Sequence, residues 1–227
     1  MATSGSTNFA QTSREIIAQA LTLLQQIGMG ATPPAEEAEY ARVALNQMIK
    51  TWGSAGRLWL QTEGSVTLLA STASYALTGV RKVMSVRRKT GTNYIPMTEM
   101  SREEYYDLPN PASSGSPLNW YFDPQRATKT LFVWQVPDAT VAAASTLAYT
   151  YARFIEDVDA LDDDPDVPQE WIEALTYGLA RRLAPAYGAT GKPEFAEIKE
   201  ASERLYAALS SVDQETASIF LQPQMQG

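Results

Sequence analysis

Residues 168–185 read Pro168-Gln-Glu-Trp171-Ile-Glu-Ala-Leu175-Thr-Tyr-Gly-Leu179-Ala-Arg-Arg-Leu183-Ala-Pro185. Their large apolar side chains recur every fourth residue, which is the spacing of one face of an α-helix. Proline is favoured at the first position of a helix, so Pro168 and Pro193 are each predicted to open one. The second helix carries an apolar seam at alternating spacings of three and four: Phe195, Ile198, Ser202, Leu205, Leu209 and Val212.

The N-terminal part of the chain shows a matching helical pattern. Thr12 and Glu15 have the spacing of a capping box, in which each side chain bonds to the other residue's backbone N–H. Apolar residues follow at helical spacing, and Gly28 and Gly30 are predicted to end that helix. A second helix is predicted to begin near Thr32. Two helices joined by a short link form an antiparallel hairpin.

From about residue 58 the apolar period changes to two, which is the alternation of β-strands. We therefore predict an α+β fold in which N-terminal and C-terminal helical hairpins form a helical bundle and a central antiparallel β-sheet or sandwich is inserted between them. The predicted boundaries are a flexible N-terminus over residues 1–11, a helical core domain over 12–57 and 157–212, a β-rich domain over 58–156, and an extended C-terminal docking tail over 213–227.

Composition limits the classes of function. The chain has 227 residues, of which 44% are hydrophobic and 19% charged, as in globular proteins. It contains no cysteine and no histidine, which excludes Ser-His and Cys-His hydrolases, disulfides and zinc sites built from these residues. No apolar run reaches about eighteen residues and no basic, apolar leader is present, so neither a membrane span nor a secretory signal is predicted. We expect no catalytic residue, no cofactor and no metal site.

The C-terminal segment carries a bulky apolar trio within polar, glutamine-containing sequence. Apolar side chains at a chain terminus are either covered by a partner or left as an exposed patch. We interpret residues 213–227 as a docking tail whose anchors are Ile219, Phe220 and Leu221.

Five basic residues lie close together on a predicted strand and its turn. One interpretation is contact with DNA in a channel or with an acidic neighbouring subunit, since head-to-tail contacts bring different surfaces of identical chains together. The other interpretation is an exposed edge strand that charge protects against unwanted pairing. The residues are Arg81, Lys82, Arg87, Arg88 and Lys89.

Six aspartates fall within residues 157–166. Clustered carboxylates suit calcium, but the glycine that an EF-hand loop requires at its sixth position is absent. The favoured interpretation is a solvated loop whose charge is stabilised by the N-terminus of the helix that follows. The six are Asp157, Asp159, Asp162, Asp163, Asp164 and Asp166.

Several strings of the sequence resemble the phage head-to-tail adaptor proteins, also called tail accessory or packaged-DNA stabilisation proteins. In these proteins a Leu-Ala-rich helix is followed by Ala-Pro-x-Tyr-Gly and a second helix. The resemblance runs from about Arg14 to Leu221 and rests on the order and spacing of the strings. They are Trp171–Gly188, Ala44–Trp52, Gly56–Trp59, Tyr75–Leu77, Pro117–Tyr121 and Leu131–Pro137.

The resemblance implies a structural protein of the virion tail and neck, assembled in the host cytoplasm. It implies a homo-oligomeric ring, a dodecamer, that lies under the portal protein, closes the DNA channel after packaging and links the portal to a downstream tail or nozzle protein. The docking tail would then bind the portal or a neighbouring copy. The net charge of −8 suits a channel that genomic DNA passes without specific binding, because binding phosphates requires Lys and Arg.

An alternative from another class is a carbohydrate-binding or muralytic virion-associated protein. Aromatic side chains stack on sugars, although large aromatics at strand spacing are more typical of a core. Cleavage of a cell wall would need two carboxylates about five to ten ångströms apart. The aromatic residues are Trp120, Tyr121, Phe122, Trp134, Tyr149 and Tyr151, and the candidate carboxylates are Glu99, Glu103, Glu104 and Glu156.

Overall fold

The computed structural model describes residues 4–213 of the chain. It divides into two compact units: one takes the chain up to Leu58 and from Ile155 onward, and the other is Trp59–Phe154. We call them the helical unit and the sheet unit. Helices make up the first and mainly antiparallel strands the second, so the predicted α+β class is confirmed.

Over the described residues, the helices in chain order are α1 (Ser13–Leu23), α2 (Ala35–Gly53), α3 (Arg102–Tyr106), α4 (Ala139–Ala144), α5 (Ile172–Leu183) and α6 (Pro193–Val212). The strands are β1 (Gln61–Thr67), β2 (Ser74–Leu77), β3 (Val80–Thr90), β4 (Asn93–Pro96), β5 (Thr98–Glu99), β6 (Ser114–Gly115), β7 (Asn119–Pro124), β8 (Lys129–Trp134), β9 (Val136–Pro137) and β10 (Ser145–Arg153). None of the described helices is long and apolar enough to cross a membrane.

Of the four predicted helix starts three are confirmed, including the one near Thr32, where α2 begins at Ala35. Thr12 and Glu15 form the capping box at α1, with the Thr12 N–H donating to the Glu15 carboxylate at 2.9 Å. Pro193 occupies the first turn of α6. The prediction for Pro168 is wrong: its backbone is extended, it caps the 3₁₀ turn Gln169–Trp171, and α5 begins only at Ile172.

Helix α5 is the centre of the helical unit, because α1, α2 and α6 all pack against it. Its predicted apolar stripe is buried, and burying one leucine side chain stabilises a fold by roughly 1.5–3 kcal/mol. This stripe therefore holds three other helices around one. Its residues are Trp171, Leu175, Leu179 and Leu183, none of which is more than 4% exposed.

Helices α2 and α5 lie close together at Gly178. A Cβ atom there would lie 2.9 Å from Trp52 Cη2 and 3.0 Å from Met48 Sδ, closer than ordinary van der Waals contact. Glycine weakens a helix by up to about 1 kcal/mol relative to alanine. The absence of a side chain at this position is therefore a packing requirement.

We predict that Gly178→Ala lowers the free energy of unfolding by about 1–3 kcal/mol, the usual cost of overpacking, despite the better helix propensity of alanine. Urea unfolding measures the change. Gly28→Ala is the matched control, because nothing lies within 4 Å of its added Cβ. Equal stabilities of the two variants would contradict the prediction.

The sheet unit contains two four-stranded sheets. One has the order β1-β10-β3-β4 and is antiparallel throughout. The other has the order β2-β8-β7-β5, and its short strand β5 runs parallel to β7. A single hydrophobic cluster takes Val86 and Leu147 from the first sheet and Trp120 and Leu131 from the second. The two sheets therefore share one core, which is the arrangement of a sandwich.

The turn between α5 and α6 is tied to the start of α2. Gly188 has a φ of +62°, a conformation that glycine adopts without strain. The neighbouring Tyr187 hydroxyl donates to Glu37 Oε2 at 3.1 Å. Burial, and then the hydrogen bond to this carboxylate, raise the pKa of Tyr187 to about 12.

We predict a stability loss at high pH that depends on Tyr187. Because its pKa is raised on folding, the folded state holds the phenolic proton more strongly than the unfolded chain, whose tyrosine titrates near about pH 10. The contribution is complete below that pH and is lost as the pH rises to about 12. The free energy of unfolding should therefore fall less steeply over this interval for Tyr187→Phe than for the native chain. A Tyr187→Phe profile identical to the native one would rule the linkage out.

Candidate functional site

Arg57, just after α2, is only 4% exposed, which is rare for arginine. Its guanidinium carbon lies 4.6 Å from the centroid of the Trp171 ring and 5.2 Å from that of Tyr206. Trp52 contacts both rings, with centroid distances of 5.8 Å to Trp171 and 5.0 Å to Tyr206. We call these four residues the arginine cluster. Cation–π attraction at this degree of burial is worth about 2 kcal/mol.

Asp213 supplies the negative charge next to the arginine cluster. Its Oδ2 lies 3.8 Å from Arg57 Nε, and the two side chains are 10% and 5% exposed. The backbone N–H of Leu58 donates to Asp213 Oδ1 at 2.9 Å. Since Asp213 directly follows α6, these contacts fix the end of that helix to the segment after α2. Asp213 is therefore held to the helical unit by a buried ionic contact, the ionic anchor.

Sequence reasoning missed this anchor. Arg57 was noted in the sequence only as part of the string Gly56–Trp59, and Asp213 only as the first residue of the predicted docking tail. The available signal was an arginine directly before the apolar residues Leu58–Leu60, because a cation next to apolar residues needs a partner when it is buried. The partner itself was not visible, since Leu58 and Asp213 are 155 positions apart.

We predict that Arg57→Met lowers the free energy of unfolding by about 3 kcal/mol, because it leaves the Asp213 carboxylate buried without its cation. Arg14→Met is the matched control. Arg14 pairs with Asp162 at 2.9 Å, but the side chains are 42% and 79% exposed, and exposed pairs contribute at most about 1 kcal/mol. Denaturant unfolding compares the two variants. A loss at Arg57 no larger than that at Arg14 would refute the anchor.

The helical unit also contains a groove of about 740 Å³ between α1, the link from α1 to α2, and the start of α5. Phe9 and Met29, which line it, are 62% and 95% exposed. None of the predicted site residues lies in it. Phe9 falls in the segment predicted to be a flexible N-terminus, so its pattern gave no sign of a binding surface. We call this feature the α1 groove.

The predicted docking anchors Ile219, Phe220 and Leu221 lie outside the residues that the structure describes. Of the predicted docking tail, Asp213 is the described part, and it forms the buried anchor. The role of the apolar trio therefore stays a prediction.

The five predicted basic residues do not form one patch. Along residues 87–90, β3 is paired with β10 on one side and with β4 on the other. The edge-strand interpretation is therefore wrong for Arg87, Arg88 and Lys89, because their strand has two neighbours there. Arg88 stands opposite the buried Leu147 and shares its face of the sheet, and its Nη1 donates to Ser116 Oγ at 3.3 Å.

Arg87 and Lys89 lie on the opposite face of the same sheet, because side chains alternate along a strand. Arg87 pairs with Glu63 at 2.7 Å. The ring of Tyr94 lies 5.1 Å from the Arg87 guanidinium carbon and 5.5 Å from Lys89 Nζ. Arg81 and Lys82 belong to the other end of β3. Contact of these residues with DNA or with a neighbouring subunit stays a prediction.

The run of aspartates ties the segment before α5 to the first two helices. Asp157 pairs with Lys50 at 2.9 Å, and Asp162 pairs with Arg14. Asp163 Oδ2 accepts hydrogen bonds from two backbone N–H groups of its own loop, at 3.0 and 2.7 Å. Among residues 4–213 no group of His, Cys, Asp or Glu is arranged to hold a metal ion. The loop is solvated, as predicted: Asp157, Asp159, Asp162 and Asp164 are exposed, and Asp157 and Asp162 form ion pairs at the surface.

The candidate carboxylates lack the surroundings that wall-cleaving chemistry requires. Glu104 completes a capping box with Ser101 at the start of α3. The hydrogen bond from the Ser101 backbone lowers the pKa of Glu104, whereas a general acid needs a raised pKa. Glu99 and Glu103 belong to the sheet unit, and Glu156 belongs to the helical unit.

The aromatic residues of the central strands mainly serve the core of the sheet unit. Trp120, Tyr121 and Tyr149 are at most 8% exposed. The Trp120 indole N–H donates to the backbone oxygen of Met97 at 3.3 Å, so its polar atom is satisfied inside the protein. Side chains in this state do not offer a stacking platform to a sugar.

A family model described as SU10 adaptor protein matches residues 11–224. This match confirms the predicted resemblance to head-to-tail adaptor proteins. No curated protein sequence matches the chain significantly. Among solved structures, the chain is similar to one titled "Neck of empty GTA particle computed with C6 symmetry", with 11% sequence identity over 78% of this chain and 81% of that chain, at a TM-score of 0.29.

Proposed function

This chain belongs to the SU10 adaptor protein family, and from that premise we propose that it forms a ring under the portal protein of a tailed phage. A head-to-tail adaptor is a structural protein of the virion. In our proposal the ring is a dodecamer that closes the DNA channel after packaging, and it links the portal to a downstream tail or nozzle protein.

The observation that carries the proposal is the exposure of α6. This helix has 20 residues, of which only Ile198 and Ser202 are buried within its own chain. Leu205 and Leu209 on its apolar seam are half-buried, and Val212 is 81% exposed. The buried part of the seam packs against α5 of the same chain, so the surface open to another chain is the remaining, exposed side of α6 together with Val212. We assign the ring or portal contact to this face.

The charge of the chain supports the passage of DNA without specific binding. The net charge is −8, and an acidic channel wall repels phosphates rather than holding them. We propose that the basic residues Arg81, Lys82, Arg87, Arg88 and Lys89 make local contacts with an acidic neighbouring subunit or with the passing DNA. Lys82 is exposed and is the most accessible of the five.

The apolar trio of the tail would add a second contact. Ile219, Phe220 and Leu221 follow closely on the buried Asp213 anchor, so each copy presents its tail from a fixed point. Repetition around a ring multiplies the strength of weak contacts, because each copy holds its neighbours at a high effective concentration. We propose that the tail binds the portal or a neighbouring copy.

Native mass spectrometry of the protein with its cognate portal tests this function. We predict that the full-length chain loads as a dodecameric ring on the portal and that a chain ending at Asp213 loads at least about tenfold more weakly. The cut must follow Asp213, because ending at Val212 would also remove the anchor of Arg57 and weaken the helical unit. The Ile219→Ser/Phe220→Ser/Leu221→Ser variant is the full-length control for the apolar trio.

The outcomes separate the two parts of the proposal. Equal loading of the full and shortened chains would refute the docking tail and leave the ring. Failure of the full-length chain to bind the portal would refute the ring beneath it, whatever the shortened chain does.

A further inference from the structure

We propose that in the free subunit the α1 groove is covered by the C-terminal segment of the same chain, with Ile219, Phe220 and Leu221 seated on the α5 side of the groove. The inference concerns the subunit before assembly, so it does not depend on the proposed ring. One trio cannot occupy its own groove and bind a portal or a neighbouring copy at the same time. The intrachain contact therefore has to open when the tail binds a partner.

The lining of the α1 groove suits an uncharged apolar peptide. Three charged side chains border it, and two of them have partners within the chain: Arg14 pairs with Asp162, and Glu15 completes the capping box at α1. The rest of the lining is apolar or neutral. Phe9 and Met29 belong to this lining and are largely exposed, so the groove is a hydrophobic surface that a cover stabilises.

The segment beyond Asp213 has a matching composition. Residues 214–227 contain one charged side chain, Glu215, which precedes the trio by four residues. The trio itself is followed only by glutamines, a proline, a methionine and a glycine. Burying three bulky apolar side chains against an apolar lining removes surface from water on both sides, which contributes roughly 25 cal/mol per Å².

The tail begins near the groove of its own chain. Asp213 Oδ2 lies 3.8 Å from Arg57 Nε, and the Arg57 guanidinium carbon lies 4.6 Å from the centroid of the Trp171 ring. Ile172, the next residue of the chain, already lines the groove. Phe220 is seven residues beyond Asp213, and a chain of this length reaches at most about 25 Å. The trio is therefore within reach of the α5 side of the groove.

Attachment to the same chain favours this groove over a site on any separate molecule. A segment held by a short linker has an effective concentration of about 1 mM at a site that it can reach. A second copy at about 1 μM competes about a thousandfold less well for a contact of equal strength. A partner that offers several contacts at once, such as a ring, is needed to displace the tail. Until then the groove and the trio cover each other's apolar surfaces.

Disulfide trapping within one chain tests the inference, since the native sequence contains no cysteine. The groove chain is full-length and carries Gln19→Cys, at an exposed position of the groove lining, and Gln222→Cys, next to the trio. The control chain carries Ala207→Cys instead of Gln19→Cys. Ala207 is exposed on α6 outside the groove and precedes Asp213 by six residues, about 9 Å along the helix. Both chains are oxidised without portal at several dilutions.

We predict that the groove chain forms at least about tenfold more intrachain disulfide than the control chain, and to the same extent at every dilution. Nonreducing electrophoresis and peptide mass spectrometry measure the bond. A tail that does not bind the groove would react at least as well at the control position, because that position is so near Asp213. Adding Phe220→Ser to the groove chain should abolish the excess, because the central apolar side chain of the trio is lost.

Three results would overturn the inference. Equal yields in the two chains, or a yield that Phe220→Ser leaves unchanged, would show that the trio does not occupy the groove. Interchain dimers that decrease with dilution, without an intrachain bond, would place the tail on a second copy. Failure to load on a portal would refute the proposed function alone, because the intrachain contact is measured without a portal.

Discussion

The helical unit depends on one buried cation. Arg57 follows α2, stacks on Trp171 before α5 and on Tyr206 of α6, and faces the Asp213 carboxylate at the end of α6. A charge taken out of water is stable only when its partners are in place. This contact therefore links α2, α5 and α6 in addition to the leucine stripe of α5.

The fold was largely predictable because its signals are local. The leucine stripe of α5, the capping box of Thr12 and Glu15, and the change of period near residue 58 each depend on residues within one element, and each predicts its element correctly. The exception, Pro168, shows the limit. A proline near a helix start can be the first helical residue or the residue just before the helix. The sequence does not distinguish the two positions, and the extended backbone of Pro168 places it before the helix.

The candidate site was less predictable because its contacts are long-range. The spacing of Arg87, Arg88 and Lys89 indicates charge on a strand, but the pairing with β10 that makes this strand internal joins residues far apart in sequence. The partners of the aspartates are also far away in sequence. Their clustering does not reveal that Asp157 pairs with Lys50 or that Asp162 pairs with Arg14. The family resemblance succeeded where charge patterns failed, because it depends on the order of many strings at once.

The division of the helical unit into two chain segments also determines when it can fold during synthesis. The ribosome delivers α1 and α2 first, then the whole of Trp59–Phe154, and only afterwards α5, against which α1 and α2 pack. The sheet unit is one continuous segment of the chain and can fold as soon as it emerges. Helices α1 and α2, by contrast, still lack the helix against which they pack. The apolar faces of α1 and α2 are therefore exposed on the nascent chain until α5 is synthesised.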